Sequence, residues 1–159
     1  MNFLRQVSRM LDDEHRANLD LLGKIELALR RSQRRDPATT ALFGQLSRLL
    51  EHDVERHFTF EEESLFPRMI QAGDGGMAEL LTEEHAAIRE VAAELRPLAN
   101  AALAGSIDDD AWDTLERIAL EMVERQVSHI QKETMALLPL LDDLLDEDTD
   151  RDLAFAYAA

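Results

Sequence analysis

The sequence contains no cysteine, which excludes disulfide bonds, thiolate catalysis, iron–sulfur clusters and zinc sites built from cysteine. Any metal that this chain binds must therefore take nitrogen and oxygen ligands, which suit iron, manganese and zinc. Turn-forming and aromatic residues are also scarce, with six glycines, four prolines and 5% aromatics in 159 residues. Together with 31% charged and 45% apolar residues, this composition predicts a soluble all-α protein.

Positive charge is scarce as well. Lys and Arg total 17 against 33 Asp and Glu, so the net charge is −16. This charge repels phosphate backbones and anionic lipids, which argues against nucleic acid and membrane surfaces as partners. No apolar run approaches the length of a membrane span, and the first amphipathic segment already carries acidic residues by position 12. We therefore expect a cytoplasmic protein.

Breaks in the hydrophobic pattern divide the chain at 31–40, 71–76 and 104–110. Between them, apolar residues recur at helical spacing. The predicted helices are therefore at about 2–31, 38–71, 77–103 and 109–145. Short connections between long helices favour an up-down-up-down antiparallel four-helix bundle. We assign residues 1–145 to this single domain and interpret residues 146–159 as an acidic, frayed C-terminal tail.

Four of the five histidines fall on the apolar faces of the predicted helices. They are His15, His57, His85 and His129, one on each helix. Two of them begin an HxxxE motif, which Glu61 and Glu133 complete, and side chains four residues apart project from one face of a helix. Glutamates in line with core leucines need charged partners, for which the sequence offers few Lys or Arg. These six side chains therefore predict a metal site in the bundle core, which a pair of cations would fill.

The two halves of the chain repeat the same pattern. Each HxxxE motif continues to a proline with the spacing HxxxExxxxxP, at Pro67 and at Pro139. An acidic pair precedes the single histidine of each half. We infer an approximately two-fold site built from two similar helix hairpins, which suits a dinuclear centre.

These motifs resemble those of the hemerythrin-like HHE cation-binding family, over nearly the whole chain. The resemblance lies in HFTFEEESLFP at 57–67 and HIQKETMALLP at 129–139, with Glu-His pairs ahead of them at 14–15 and 84–85. It implies a four-helix bundle with a non-haem di-iron centre, whose two iron ions are bridged by carboxylates and an oxo or hydroxo group. By this resemblance the terminal ligands would be His15, His57, His85 and His129, and the bridges Glu61 and Glu133.

The chain departs from the oxygen-carrying hemerythrins at two positions. Those proteins have a second His one turn after the His of the third helix, and a carboxylate five residues after the His of the fourth helix. At these two positions this sequence has Arg89 and Thr134. By the same resemblance, losing one ligand would leave both metals with incompletely filled shells, whereas an oxygen carrier needs one saturated iron. The four His and two Glu are more similar to di-iron proteins that repair damaged iron–sulfur clusters, and to HHE proteins that act on peroxide, O2 or nitric oxide.

We therefore interpret the chain as a non-haem di-iron protein that binds or reduces a small oxidant (O2, peroxide or nitric oxide) in sensing or stress defence. Zinc or manganese could occupy the same ligands. Two alternatives stay open. One is an iron or oxygen sensor without turnover, whose bundle stability depends on metal occupancy. The other is an interaction module with a buried His/Glu network and no metal.

The sequence also predicts roles for polar residues outside the six ligands. Asp53, one turn before His57, is one candidate for the outer partner that accepts the second ring N–H of a ligand histidine. His52 lies on roughly the opposite side of its helix, so we expect it to be solvent-exposed without a ligand role. Arg89 either pairs with a site carboxylate or extends to solvent. A solvated acidic face or mouth is predicted at Glu62, Glu63, Glu83 and Glu84.

Overall fold

A computed structural model of the protein describes residues 2–31 and 35–159, and this part of the chain is helical without any strand. The predicted all-α class is confirmed. In chain order the helices are α1 at Gln6–Arg30, α2 at 37–71, α3 at Gly75–Leu103, α4 at 109–144 and α5 at Glu147–Ala158. The predicted break at 31–40 includes residues 32–34, which lie outside the described residues. Of the helices described, none combines the length and the apolarity needed to cross a membrane.

Aspartates begin three of these helices. The carboxylates of Asp36, Asp108 and Asp146 accept hydrogen bonds from backbone N–H groups in the first turns of α2, α4 and α5. An aspartate in this position satisfies an N–H group that has no partner within the helix. Pro37 follows Asp36 as the first residue of α2, where its missing N–H costs nothing.

Helices α1 to α4 pack as a bundle in which α1 contacts α2, α2 contacts α3, α3 contacts α4, and α4 contacts α1. The apolar core consists of two clusters, one around Leu22 and Leu95 and the other around Leu11 and Leu81. Helices α1 and α3 begin in the Leu11 cluster and continue into the Leu22 cluster, whereas α2 and α4 pass through the two clusters in the opposite order. In all four helices the predicted metal ligands lie near the change from one cluster to the other.

Widened helical turns occur where α2 and α4 carry these ligands. Both helices are continuous, but they include the π-helical turns Asp53–His57, Glu61–Leu65 and Glu133–Leu137. The second and third turns each lead into a proline, Pro67 and Pro139. A proline inside a helix has no N–H to donate, and its ring collides with the carbonyl four residues earlier. A π-helical turn just before the proline accommodates it, which gives the shared HxxxExxxxxP spacing a structural explanation.

The prediction of a frayed tail at 146–159 is wrong, because this segment forms α5 and packs against α1. Asp150 is only 4% exposed and accepts hydrogen bonds of 2.9 Å from the backbone N–H groups of Gln6 and Val7. Arg5, at the cap position of α1, makes no side-chain cap of its own. The acidic residue that indicated a solvated tail therefore caps the first helix.

Candidate metal centre

The structure brings all six predicted ligands together between the two apolar clusters. They come from four helices: His15 from α1, His57 and Glu61 from α2, His85 from α3, and His129 and Glu133 from α4. None is more than 2% exposed to solvent. Six ionisable side chains buried at one level of a bundle need mutual compensation or a bound cation.

The possible ligand atoms fall into two groups of four, within each of which they lie within 4.8 Å of one another. The first group, which we name position A, consists of His15, His57, Glu61 and Glu133. The second, position B, consists of His85, His129, Glu61 and Glu133. Both glutamates therefore belong to both positions. This arrangement gives each position two imidazoles of its own and a share in two carboxylates.

Glu133 turns one oxygen towards each position. Its Oε1 atom lies 3.1 Å from Nε2 of His15 in position A, and its Oε2 atom lies 3.1 Å from Nε2 of His129 in position B. A carboxylate that contacts both groups in this way has the geometry of a bridge between two cations.

Glu61, which belongs to the first HxxxE motif, has the same arrangement as Glu133 in the second. Its Oε2 atom lies 3.3 Å from Nε2 of His57 in position A, and its Oε1 atom lies 3.2 Å from Nε2 of His85 in position B. The approximate two-fold symmetry inferred from the sequence is thus present in these contacts.

Three carboxylate oxygens at the centre lack a hydrogen bond. Within the described residues, no donor with suitable geometry reaches Oε1 or Oε2 of Glu61 or Oε2 of Glu133. A buried carboxylate without such partners is strongly destabilising unless a cation compensates it. The donor set of four imidazoles and two carboxylates fits iron, manganese or zinc. The residues present therefore fit a pair of bound cations.

Without a bound cation, the imidazoles supply the compensating charge. Burial lowers the pKa of His57, but the nearby carboxylates of Glu61 and Glu133 outweigh burial and raise this pKa well above its usual value. Burial likewise opposes protonation of His85, whose pKa Glu133 and Glu61 raise to about 9. The pKa of His129 is raised for the same reason, chiefly by Glu133 against burial. Metal binding at neutral pH must therefore displace protons from these rings.

Each of the four histidines has a second partner outside the centre, bound to its Nδ1 atom. The pairs are His15 with Thr134 at 2.9 Å, His57 with Glu14 at 2.7 Å, His85 with Glu62 at 2.8 Å, and His129 with Glu84 at 2.9 Å. An Nδ1–H that donates to an outer acceptor leaves Nε2 facing inward with its lone pair available. The three bonds to glutamates therefore hold their rings in the tautomer and orientation that metal ligation requires, and the contact with the Thr134 hydroxyl orients the ring of His15.

The outer partners differ from those that we predicted. Asp53 does not contact Nδ1 of His57; it is buried and accepts hydrogen bonds from Asn18 and Gln126. The pKa of Asp53 is raised, chiefly because burial removes its carboxyl group from water. Glu14 takes the predicted role instead. Burial raises the pKa of Glu14, but the hydrogen bond and charge of His57 outweigh this effect and lower it to about 2.

Glu62 and Glu84 are not merely part of a solvated acidic face, because they hold His85 and His129. Both are only partly exposed, and each has a second, cationic partner. Arg89 donates two hydrogen bonds to Glu62, at 2.8 and 2.9 Å, so it pairs with an outer carboxylate. Lys132 pairs with Glu84. The Glu-His pair at 84–85 was the available signal for Glu84, but its partner proved to be the histidine of α4.

His52 lies outside positions A and B, as predicted, and its side chain is 40% exposed. It is not without contacts, since its Nε2 atom lies 3.2 Å from Oε1 of Glu14. Glu14, His52 and Asp53 form a further group with ligand atoms within 4.8 Å of one another. Here, however, hydrogen bonds from His57 and Asn18 already engage the two carboxylates.

Aromatic rings cover the centre on the side of His85. Phe58 stacks on the His85 ring with 3.8 Å between centroids and an interplanar angle of 4°. Phe66 lies 5.3 Å from the same ring. These rings displace water from position B and thereby strengthen the electrostatic interactions inside it.

Fold and site together define a metal-binding helical bundle, with two adjacent cation positions that share two glutamates. The family model of the hemerythrin HHE cation binding domain matches residues 6–141, and the chain belongs to this family. No curated protein matches the chain. Helix α5 begins after the last matched residue, so its packing against α1 is not part of the matched domain.

Proposed function

We propose that the protein binds two iron ions, one at position A and one at position B, as an oxo- or hydroxo-bridged di-iron centre. The observation that carries this proposal is the arrangement of Glu61 and Glu133, each of which turns one oxygen to a histidine of A and the other to a histidine of B. A single cation would leave half of this donor set unused. The terminal ligands would be His15 and His57 at A, and His85 and His129 at B.

The proposed role is to bind or reduce a small oxidant, O2, peroxide or nitric oxide, in sensing or stress defence. Two histidines and two carboxylate oxygens would give each iron about four protein donors, fewer than the six positions of an octahedral ion, so that a small molecule could bind. Two adjacent irons, when bound, supply two electrons without a thiol. The protein contributes the fixed ligand rings and the aromatic cover of Phe58 and Phe66.

Two further proposals concern the setting of this centre. We infer an up-down-up-down direction of the four helices, which the alternating order of the two apolar clusters along α1 to α4 supports. We also propose a cytoplasmic protein whose partner is the small oxidant itself rather than nucleic acid or membrane, since the net charge of −16 disfavours anionic partners.

Elemental analysis of the purified full chain, together with its visible absorption spectrum, tests the proposal. We expect about two irons per chain and an oxo-bridge charge-transfer band that dithionite bleaches and peroxide restores. Zinc in place of iron would support the two positions and contradict the redox role, whereas manganese would contradict only the assignment of iron. A chain that holds no metal after reconstitution with Fe²⁺ would contradict the whole proposal.

A second candidate is a metal sensor without turnover. The three carboxylate oxygens without hydrogen bonds favour it, because emptying the centre leaves buried charge that must destabilise the bundle. A sensor of this kind would show a large loss of thermal stability on chelation and no consumption of peroxide or O2 by the iron-loaded chain. Sustained turnover with a chemical reductant would favour the first candidate.

A further inference from the structure

The last helix of the chain reaches the metal centre through one side chain. Tyr157, near the C-terminal end of α5, is buried, and its hydroxyl donates to the carboxylate of Glu14, with distances of 2.8 Å to Oε1 and 2.7 Å to Oε2. The same carboxylate accepts a 2.7 Å hydrogen bond from Nδ1 of His57. A continuous chain of hydrogen bonds therefore connects α5 to a histidine of position A.

Contacts on several sides fix the Tyr157 side chain. Its ring lies 4.5 Å from the ring of Phe60, between centroids, and 5.5 Å from the guanidinium carbon of Arg56. Arg56 also donates to the backbone carbonyl of Tyr157. At the other end of α5, Asp150 is bound to the first turn of α1. The phenol hydroxyl is therefore held in place by the packing of the whole helix.

The glutamates bound to His85 and His129 are also held by a second side chain each. Glu62, the partner of His85, is held by Arg89, and Glu84, the partner of His129, is held by Lys132. Each outer glutamate thus has one bond to a histidine and a second bond that fixes its own position. At Glu14 the shorter of the further bonds come from the Tyr157 hydroxyl, at 2.8 and 2.7 Å, beside a longer one of 3.2 Å from His52. Arg89 and Lys132, which hold the outer glutamates at position B, belong to the bundle. Tyr157, which acts at position A, lies beyond the residues that the family model matches.

We propose that Tyr157 is a positioning residue of the metal centre, which acts on His57 through Glu14 and therefore affects position A alone. The proposal rests on the proposed binding of cations at A and B. Outer partners orient ligand histidines and strengthen their donor character, and losing one commonly weakens metal binding. Tyr157 is one hydrogen bond further from the metal position than Glu14, so its loss weakens metal binding less than the loss of Glu14 itself.

The test uses the full chain loaded with Co²⁺, a probe whose visible spectrum reports its coordination without any oxidant chemistry. Tyr157→Phe keeps the ring and its packing and removes only the hydroxyl. We expect one of the two Co²⁺ ions to dissociate about three- to tenfold faster into excess chelator, with the other unchanged. Phe155→Ala is the matched control on the same helix, because Phe155 is 77% exposed, and it should release both ions at the wild-type rates.

A second comparison separates positioning from a general loosening of the fold. In a Glu14→Gln background, which already weakens the contact with His57, adding Tyr157→Phe should change the release rate by less than twofold. Faster release of both ions from Tyr157→Phe would indicate loss of structure and overturn the proposal, and so would an undiminished effect in the Glu14→Gln background. Two ions released at wild-type rates would overturn this inference alone. A wild-type chain that binds no Co²⁺ would overturn the proposed function and, with it, this inference.

Discussion

The hydroxyl of Thr134 lies 2.9 Å from Nδ1 of His15, and it is the one neutral group among the outer partners of the four histidines. The other three rings each donate to a glutamate. Thr134 stands where oxygen-carrying hemerythrins have a carboxylate. In this chain the residue at that position is an outer partner, while Glu133, one residue earlier, faces the centre.

Replacing Thr134 by valine tests this role. Valine has nearly the same shape but no hydroxyl, so the His15 ring loses the bond that orients it. We expect position A to bind metal about tenfold more weakly, measured by titration against a competing chelator, with position B unaffected. Thr82→Val is the control, because among the described residues the Thr82 hydroxyl bonds only to the carbonyl of Ala78 in its own helix. Equal affinity in both variants would contradict the role of Thr134.

Substitution of Glu61 should reduce metal binding at both positions rather than at one. Because each of its oxygens faces one position, Glu61→Ala should reduce the metal content at A and at B together. Glu63 belongs to the same helical turn but is exposed, so Glu63→Ala should retain about two metals per chain. Elemental analysis of both purified variants measures the difference.

The histidines supply a matching comparison. His129→Ala should lose the ion at position B, whereas His52→Ala should keep both ions, because His52 belongs to neither position. Equal loss in both histidine variants would contradict the assignment of the ligands.

The sequence was sufficient for the six central residues because helical periodicity fixes them. Spacing of four places His57 and Glu61 on one face, and the apolar neighbours of each residue show that this face is inward. The outer partners could not be found in the same way. Which carboxylate reaches Nδ1 of His57 depends on how α1 lies against α2, whereas the helix pattern offered only a candidate on the same helix, Asp53. Helix α5 was missed because the composition of an acidic cap and that of an acidic tail are the same.

Removing the metals should lower the melting temperature substantially. An ion that binds only the folded state, at a thousand times its dissociation constant, stabilises that state by about 4 kcal/mol. For a chain of this length such a loss corresponds to roughly 8–16 °C. Differential scanning calorimetry with and without a chelator measures the shift. The Glu61→Ala variant, which lacks a shared ligand, should show little response to the chelator, and a shift as large as that of the wild type would indicate binding elsewhere.

The stability of the metal-free chain should fall as the pH rises from about 6.5 to about 9. In that form the pKa of His85 is raised from 6.5 to about 9, and those of His57 and His129 are raised as well, because Glu133 and Glu61 outweigh the effect of burial. A group with a raised pKa stabilises the folded state fully below its unfolded value and loses this contribution as the pH passes its folded value.

Urea unfolding of the chelated protein at several pH values measures this dependence. The metal-loaded chain is the control, since its imidazoles are bound to cations and carry no such proton. A flat or rising stability of the metal-free form over the same interval would show that the centre does not depend on protonated histidines.

Capping of α1 by the last helix should be visible in a single substitution. Asp150 accepts the N–H groups of Gln6 and Val7, and Asp150→Ala leaves both without an acceptor in the described structure. Losing such a cap costs about 1–2 kcal/mol. We therefore expect faster hydrogen exchange at Gln6 and Val7 and a melting temperature lower by roughly 2–8 °C. Asp152→Ala, an exposed substitution on the same helix, should change neither. If the two variants melt alike, water replaces the carboxylate at this end and α5 is held by its apolar contacts and Tyr157 instead.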